Sequence, residues 1–247
     1  MTGLHRLTQL YPIRLAIVII LYGLAGWLGL LLAVPPGYAT VLWPASGIAV
    51  AALLLYGAGL WPGVLLGSLI VNLSAGHAAA PDGIAATGIA VAVAIAVGST
   101  IQALVAAGLV RKVFGVPVNL SSRRDLVLFA LCAGPLPCLV AASIGVGSLY
   151  VAGLVAPEAL ARNWFTWWFG DVAGVLIVLP LALVAPWRNW SLRWSGQPVT
   201  RFTAPSLLAL IVPLALTLYA WKMTTEISEQ KNQASFAVLA EDSLQAL

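Results

Sequence analysis

Charged residues are scarce in this chain. Of its 247 residues, 61% are hydrophobic and only 8% are charged, whereas a soluble domain normally carries about 25% charged residues. No Asp, Glu, Lys or Arg lies between Arg14 and Asp82, so a water-soluble fold has no means of covering this segment with a polar surface. The mean hydropathy of +0.99 agrees. We therefore predict an all-α polytopic transmembrane helix bundle.

Histidine and cysteine are also scarce, which removes most catalytic and metal-binding arrangements. The two histidines, His5 and His77, fall on opposite sides of the membrane in the topology given below, so they share no zinc site and activate no serine. Cys132 and Cys138 lie six residues apart in one apolar run and are interpreted as unpaired packing residues. No glycine-rich phosphate loop precedes a lysine. We expect no enzymatic activity, no cofactor and no metal ion.

Seven apolar runs are interpreted as membrane spans. They cover residues 13–33, 39–57, 61–75, 84–110, 126–152, 163–184 and 205–222. The fifth run contains Pro135 and Pro137, and proline interrupts a helix by removing a backbone donor. This run is therefore either one kinked helix or two helices, and the second reading raises the count to eight.

Two Trp-Pro pairs occur within these runs. Trp61 and Pro62 open the third run, where proline is well placed in the first turn of a helix. Trp43 and Pro44 lie a few residues inside the second run. At that position, inside the span, proline frees a carbonyl group and permits a kink.

The basic residues predict the orientation of the spans. With the N-terminus in the cytoplasm, nine basic residues lie inside and three outside, as the positive-inside rule requires. The inside residues are Arg6, Arg14, Arg111, Lys112, Arg123, Arg124, Arg188, Arg193 and Arg201, and the outside residues are Arg162, Lys222 and Lys231. We predict that the N-terminus is inside and the C-terminus outside a bacterial inner membrane. The net charge of +4 does not indicate nucleic-acid binding, because the basic residues form short groups between apolar runs.

Three tryptophans follow the sixth run at helical spacing. Trp187, Trp190 and Trp194 lie three and four residues apart, beside Arg188 and Arg193. The pattern favours a short interfacial helix and a tryptophan-rich loop in the aromatic belt equally.

One acid lies deep within an apolar run. Asp171 is the only charged residue of FTWWFGDVAGVLIVLP, residues 165–180, and such an acid costs about 2.5–3.5 kcal/mol on insertion scales. It shares a helical face with Trp167 and Gly174, and this face is predicted to point into the bundle. Asn72, Gln102 or a buried water is a suitable hydrogen-bond partner, and each amide is also expected to bond between helices. Asp171 is either a polar lock between helices or a functional site for a proton, cation or ligand.

Glycines recur at four-residue spacing. Gly59, Gly63 and Gly67 form one such stripe, and Gly170 and Gly174 form another. Stripes of small residues let helix backbones approach closely in membranes. Helix packing is the expected role of both stripes.

Three blocks of the sequence together resemble the first membrane-associated sensor family, of the MASE type. They are LWPASGIA at 42–49, LWPGVLLGSLIVNL at 60–73 and TWWFGDVAGVLIVLPLAL at 166–183. The matching positions are Trp43, Pro44, Gly47, Trp61, Pro62, Gly67, Asn72, Trp167, Trp168, Gly170, Asp171, Gly174 and Pro180. The resemblance implies that they form a sensing core, to which we add Gln102 as a candidate. It implies no catalytic role for them.

This resemblance covers about residues 10–222 and implies a sensory input domain that precedes a diguanylate cyclase, phosphodiesterase or histidine kinase module. Such a domain is expected to act as a homodimer in the lipid bilayer and to respond to a small-molecule or membrane-borne ligand. Residues 223–247 have an amphipathic pattern without Gly or Pro and are expected to form a periplasmic helical stalk. The stalk resembles the start of a CHASE-type extracytoplasmic domain that continues beyond the chain. The alternative function is a small-solute or proton-coupled transporter or channel that uses Asp171.

Overall fold

The structure, a computed structural model, describes residues 2–31, 40–79, 85–184 and 192–199. Within them, seven α-helices and three short strands follow one another along the chain. The helices are α1 Thr2–Leu30, α2 Pro44–Tyr56, α3 Trp61–Ala79, α4 Ala86–Phe114, α5 Arg123–Ala133, α6 Pro135–Val151 and α7 Leu160–Val184. The strands are β1 Val118–Leu120, β2 Leu192–Trp194 and β3 Gln197–Pro198.

Five helical segments are long and apolar enough to cross a membrane. They are Leu10–Leu30, Ala58–His77, Ala86–Phe114, Arg123–Val151 and Pro157–Val184. They coincide with the first, third, fourth, fifth and sixth predicted spans, so the predicted helical membrane fold is confirmed. The seventh predicted span, residues 205–222, and the predicted stalk lie outside the described residues.

The second predicted span is a shorter helix than expected. Helix α2 has 13 residues and is about 20 Å long at 1.5 Å per residue, against a hydrocarbon core of about 30 Å. Trp43 is its N-cap and Pro44 its first residue, so the predicted position of Pro44 inside the helix is wrong and no kink arises there. Proline costs no hydrogen bond there, because the first-turn N–H groups of a helix have no intrahelical partner. The predicted helix start at Trp61 is confirmed.

The fifth predicted span is interrupted, as its prolines indicate. Helix α5 ends at Ala133, Gly134 leaves the helical conformation, and α6 begins at Pro135. Together the two helices form one apolar segment of 29 residues that is long enough to cross a membrane. Ser122 begins α5 with a capping box, in which its side chain accepts from the Asp125 N–H and the Asp125 carboxylate accepts from the Ser122 N–H.

A small sheet corrects the all-α prediction. β1 pairs in parallel with β2, and β2 pairs antiparallel with β3. Trp194 lies in β2, so the interfacial helix is wrong at this residue, while Trp187 and Trp190 lie outside the described residues. The cause is the hairpin turn after β2, where Ser195 and Gly196 have φ angles of 48° and 80°. Two consecutive positive φ angles suit a tight hairpin.

Arginines gather where α2 and α4 end. Arg111 donates from Nη2 to the carbonyl oxygens of Leu53 at 3.0 Å and Leu54 at 2.6 Å. Both carbonyls belong to the last turn of α2, where backbone donors are scarce. The Leu53 carbonyl also accepts from the Gly57 N–H at 3.1 Å. The Arg14 guanidinium lies 5.4 Å from the centre of the Tyr56 ring. Cationic side chains therefore stabilise the C-terminal end of α2, in agreement with the helix dipole.

Replacing Arg111 with methionine should lower the free energy of unfolding by about 1.5 kcal/mol, the low end for hydrogen bonds from a charged donor. The variant removes the side-chain donor from the Leu53 and Leu54 carbonyls, and the Leu53 carbonyl keeps only the Gly57 N–H. Thermal unfolding in detergent, followed by tryptophan fluorescence, measures the effect. Lys112→Met removes the neighbouring exposed charge and should change the midpoint little. Equal losses in the two variants would mean that charge, and not the cap, matters at this end.

The first glycine stripe is divided in the structure. A Cβ atom on Gly63 would lie 3.1 Å from Val18, and one on Gly67 would lie 2.9 Å from Tyr22, both on α1. Gly59 lies in a short turn before α3 and has no such neighbour. The packing role is therefore confirmed for Gly63 and Gly67, which let α3 approach α1.

Candidate functional site

Three glycines bring α2 and the segment before it directly against α7. The Trp43 N–H donates to the Gly170 carbonyl oxygen at 3.0 Å. A Cβ atom on Gly170 would collide with the Thr40 carbonyl oxygen, and one on Gly174 with the Trp43 carbonyl oxygen. A Cβ on Gly47 would collide with the Gly174 carbonyl oxygen. We call this contact the α2–α7 seam, and it leaves no space for a side chain at these glycines.

Asp171 lies between the two α7 glycines of the seam. Its side chain is 2% exposed, as the predicted inward face requires. The Ser46 hydroxyl of α2 donates to Asp171 Oδ1 at 2.5 Å, a short hydrogen bond of the kind made to carboxyl groups. The acid is thus joined to α2 by a side-chain hydrogen bond as well as by the close backbone contact.

A cavity with a volume of about 40 Å³ adjoins Asp171. Its walls come from α1, α3, α4, α7 and the segment that precedes α2. The lining residues are Tyr22, Leu30, Thr40, Trp43, Ser68, Asn72, Ala75, Ile95, Ser99, Trp167 and Asp171. A cavity needs roughly 10–15 Å³ to hold one water, so this one accommodates a few waters or a small solute.

Two polar atoms of the cavity walls have no hydrogen-bond partner among the described residues. They are Asp171 Oδ2 and the Tyr22 hydroxyl oxygen, and Tyr22 is 0% exposed. Ser68, Ser99 and Trp43 are near the Tyr22 hydroxyl, and Trp167 is near Asp171. None of these side chains meets hydrogen-bond geometry with the two unpartnered atoms. Buried polar groups in proteins almost always have partners, so the two unpartnered atoms make this cavity the candidate functional site.

Tryptophans of α7 fix this helix against α6, and one of them, Trp167, also lines the cavity. The Trp167 ring packs where a Cβ on Gly145 of α6 would lie, at 2.8 Å. Trp168 Nε1 donates to the Pro135 carbonyl oxygen at 2.9 Å. The Trp164 ring stacks on the Trp168 ring, with centroids 6.3 Å apart. The first-turn carbonyl of α6 thus receives a donor, and α7 is fixed against α6 while its opposite side meets α2.

The structure brings most of the predicted sensing-core residues together. Trp43, Asn72, Trp167 and Asp171 line the cavity, and Pro44, Gly47, Gly170 and Gly174 lie at the seam. The remaining predicted residues lie elsewhere. Trp61 and Pro62 begin α3, and Trp61 is 44% exposed. Gly67 contacts α1, while Trp168 and Gln102 contact α6. Pro180 is half-buried within α7.

The two amides behave differently from each other. Gln102 Nε2 of α4 donates to Cys138 Sγ of α6 at 3.2 Å, which confirms its predicted bond between helices. Asn72 Nδ2 instead donates to the Ser68 carbonyl oxygen at 2.8 Å, within α3, so the interhelical prediction is wrong for this donor. The carbonyl four residues back is always within reach of a short polar side chain. Neither amide is the hydrogen-bond partner of Asp171.

Sequence reasoning missed Ser46 and Tyr22. Ser46 lies within the LWPASGIA block, where it is the only hydroxyl group. Tyr22 is the only phenol within LAIVIILYGLAGWL. Isolated hydroxyl groups in otherwise apolar spans are the signal that would have found both, because such groups seek partners inside the bundle.

Comparison with known proteins gives one match. The MASE1 family model matches residues 14–233. This range contains every residue of the cavity and the seam, and it extends 11 residues beyond position 222, where the predicted stalk begins. No curated protein and no solved structure matches the chain. The resemblance of the last residues to a CHASE-type domain is not confirmed.

Proposed function

Since the chain belongs to the MASE1 family of membrane sensory domains, we propose that it is the input domain of a bacterial signalling protein. In this proposal, a ligand enters the cavity beside Asp171, and the domain passes the change to a cytoplasmic output module in the same gene product. The module is a diguanylate cyclase, a phosphodiesterase or a histidine kinase. The observation that carries the proposal is a cavity with two unpartnered buried polar atoms at the seam between two helices.

The mechanism that we propose uses the seam as the moving part. A cavity occupant contacts Asp171 and Trp43, which join α7 to α2 through the Ser46 hydroxyl and the Trp43 N–H. A ligand shifts a protein between two packings only by binding one of them more tightly. Close backbone contact makes intermediate packings unfavourable, so the seam is suited to two discrete arrangements. The far end of α2 is held by Arg111, and movement of α2 would therefore reach the basic end of the bundle.

We further propose seven spans in the bacterial inner membrane, with the N-terminus inside, the C-terminus outside and two chains forming a dimer. The charge distribution supports this orientation. On the side of the bundle that contains the α2 C-terminus and the sheet, the described basic residues are Arg14, Arg111, Lys112, Arg123, Arg124 and Arg193. The connection between α6 and α7 and the start of α7 carry only Arg162 among basic residues. The excess of positive charge supports a proposed arrangement with the sheet in the cytoplasm and the cavity half of the bundle towards the periplasm.

Cysteine labelling tests this orientation. In a background with Cys132→Ala and Cys138→Ala, single cysteines replace the exposed residues Gln197 in β3 and Ala156 before α7. A membrane-impermeant maleimide added to intact spheroplasts should label position 156 and leave position 197 unlabelled until the membrane is opened. The reverse pattern would contradict the proposed orientation.

A transport assay distinguishes a sensory domain from the alternative function, a transporter or channel. The purified chain in proteoliposomes should carry no proton or solute flux and should not turn over cyclic dinucleotides, because the proposed output activity lies in another module. Asp171→Asn should therefore leave the flux at the level of empty liposomes, as the wild type does. A flux that the wild type shows and Asp171→Asn loses would favour a transporter or channel.

A further inference from the structure

In the described part of the chain, the walls of the cavity present two unpartnered oxygen atoms and contain no basic side chain. Asp171 supplies a carboxylate oxygen without a partner, and the Tyr22 hydroxyl is also unpartnered among the described residues. Asn72 uses its Nδ2 group on the Ser68 carbonyl, which leaves its Oδ1 atom as an acceptor. None of the lining residues is Lys, Arg or His. This chemistry repels an anion and attracts a cation.

One unit of positive charge matches the cavity. Asp171 is the only acid among the described lining residues, and the described residues contain no cluster of three His, Cys, Asp or Glu side chains, the kind of site that holds a divalent metal ion. A divalent ion would leave an unbalanced charge inside the bilayer, which is costly. A monovalent cation neutralises the single carboxylate and leaves none.

The size and the oxygen atoms of the walls also fit such an ion. At about 40 Å³, the cavity holds one small ion with one or two waters and is far below the roughly 300–1,000 Å³ of drug-sized pockets. Hydroxyl and amide oxygens of Ser68, Asn72 and Ser99 line it from α3 and α4, and oxygen is the donor that hard cations prefer.

From these observations we infer that the cavity binds one monovalent inorganic cation between Asp171, Tyr22 and the polar side chains of α3 and α4. The inference rests on the proposed sensory role of this cavity and names the class of its ligand. Sodium, potassium and ammonium share the required charge and size. The Asp171 carboxylate is the charged ligand, and the Tyr22 hydroxyl supplies a neutral oxygen from α1.

Binding is measured on the full chain in lipid nanodiscs, without any output module. The buffer contains N-methylglucamine chloride, which is replaced stepwise by NaCl, KCl or NH₄Cl at constant ionic strength. We expect one of the three ions to raise the midpoint of thermal unfolding by about 5 °C at a hundredfold excess over its Kd. Calorimetric titration should give one site per chain. If none of the ions differs from N-methylglucamine in either measurement, the inference is overturned.

Three variants locate the ion. Asp171→Asn should abolish the cation-dependent shift. Tyr22→Phe removes a hydroxyl that has no partner among the described residues, so it should fold normally and weaken binding about tenfold, a typical result of losing one polar contact. Asp125→Asn makes the same chemical change at the capping box of α5 and should keep the full shift. An ion effect that survives in both Asp171→Asn and Tyr22→Phe would overturn the site.

The cation site and the sensory role can be contradicted independently of each other. If no cation binds but Asp171→Asn still alters the output of the whole gene product, the cation is wrong and the sensory role stands. If a cation binds at Asp171 and the output ignores it, the cation site stands and the sensory role is wrong.

Discussion

Replacing Gly174 with alanine should lower the free energy of unfolding by about 3 kcal/mol, the upper part of the range for overpacked cores. The new Cβ atom would collide with the Trp43 carbonyl oxygen and would lie 3.1 Å from the Pro44 nitrogen. Both are backbone atoms, which do not rotate away as a side chain does. The midpoint of thermal unfolding in detergent should therefore fall by about 6–12 °C.

The matched control for Gly174→Ala is Gly147→Ala. Gly147 lies within α6, and a Cβ atom there has no neighbour within 4 Å. Since alanine is the better helix former, this variant should keep the stability or raise it by up to about 1 kcal/mol. If both variants unfold at the wild-type temperature, the α2–α7 seam is not the close contact that the structure shows. If both lose stability equally, the cost belongs to helical glycine in general.

Asp171→Asn should abolish the response of the whole gene product to its stimulus while leaving the domain folded. Asparagine has the shape of aspartate, and its carbonyl oxygen still accepts from Ser46, so the seam survives. The variant lacks the negative charge that faces the cavity. Coupling between a ligand site and a remote site typically changes affinity about 5–150-fold. The ratio of output with the stimulus to output without it should therefore differ from one in the wild type and should be close to one in Asp171→Asn. Output is measured in membranes with and without the stimulus.

Two controls accompany this measurement. The thermal midpoint of Asp171→Asn shows whether the variant is folded. Asp125→Asn changes the acid at the start of α5, which lies away from the cavity, and it should cost about 1 kcal/mol of stability through the cap while keeping the response. A folded Asp171→Asn protein that responds normally would remove the acid from the sensing mechanism.

The membrane helices are predictable from the sequence because apolar length is a property of a continuous segment. The inward face of Asp171 is predictable as well, since only one side of α7 carries its glycines. The beginning of α2 follows the same rule as the beginning of α3. Proline in the first helical turn explains Trp61 and Pro62, and it explains Trp43 and Pro44 equally well.

The cavity itself is not predictable from one sequence. Its walls combine Tyr22 of α1, Ser68 of α3 and Ser99 of α4 with Asp171 of α7, and no periodicity says which faces of separate helices meet. The sheet was missed for another reason. Its strands have two or three residues, too few for an alternating pattern, and the Ser195–Gly196 pair is the only local turn signal.

In the proposed mechanism, Asp171 has two roles. As a structural group, it accepts the Ser46 hydroxyl and joins α7 to α2. As a sensory group, it offers its second oxygen to the cavity. The two alternatives that the sequence leaves open, a polar lock and a functional site, use different oxygen atoms of the same carboxyl group. This arrangement would let an occupant of the cavity act directly on the contact between the helices.

The most direct test of this account is the distance between α2 and α7 with the cavity empty and filled. Spin labels replace Ala58, just beyond α2, and Leu181 near the end of α7, both exposed, in a background with Cys132→Ala and Cys138→Ala. The distance between the two labels is measured in nanodiscs by pulsed electron–electron double resonance. When the binding cation replaces N-methylglucamine in the buffer, the distance distribution should shift by about 1–2 Å, the usual size of a helix shift. Asp171→Asn should show no shift. An unchanged distribution in the wild-type protein with the cation bound would contradict the account.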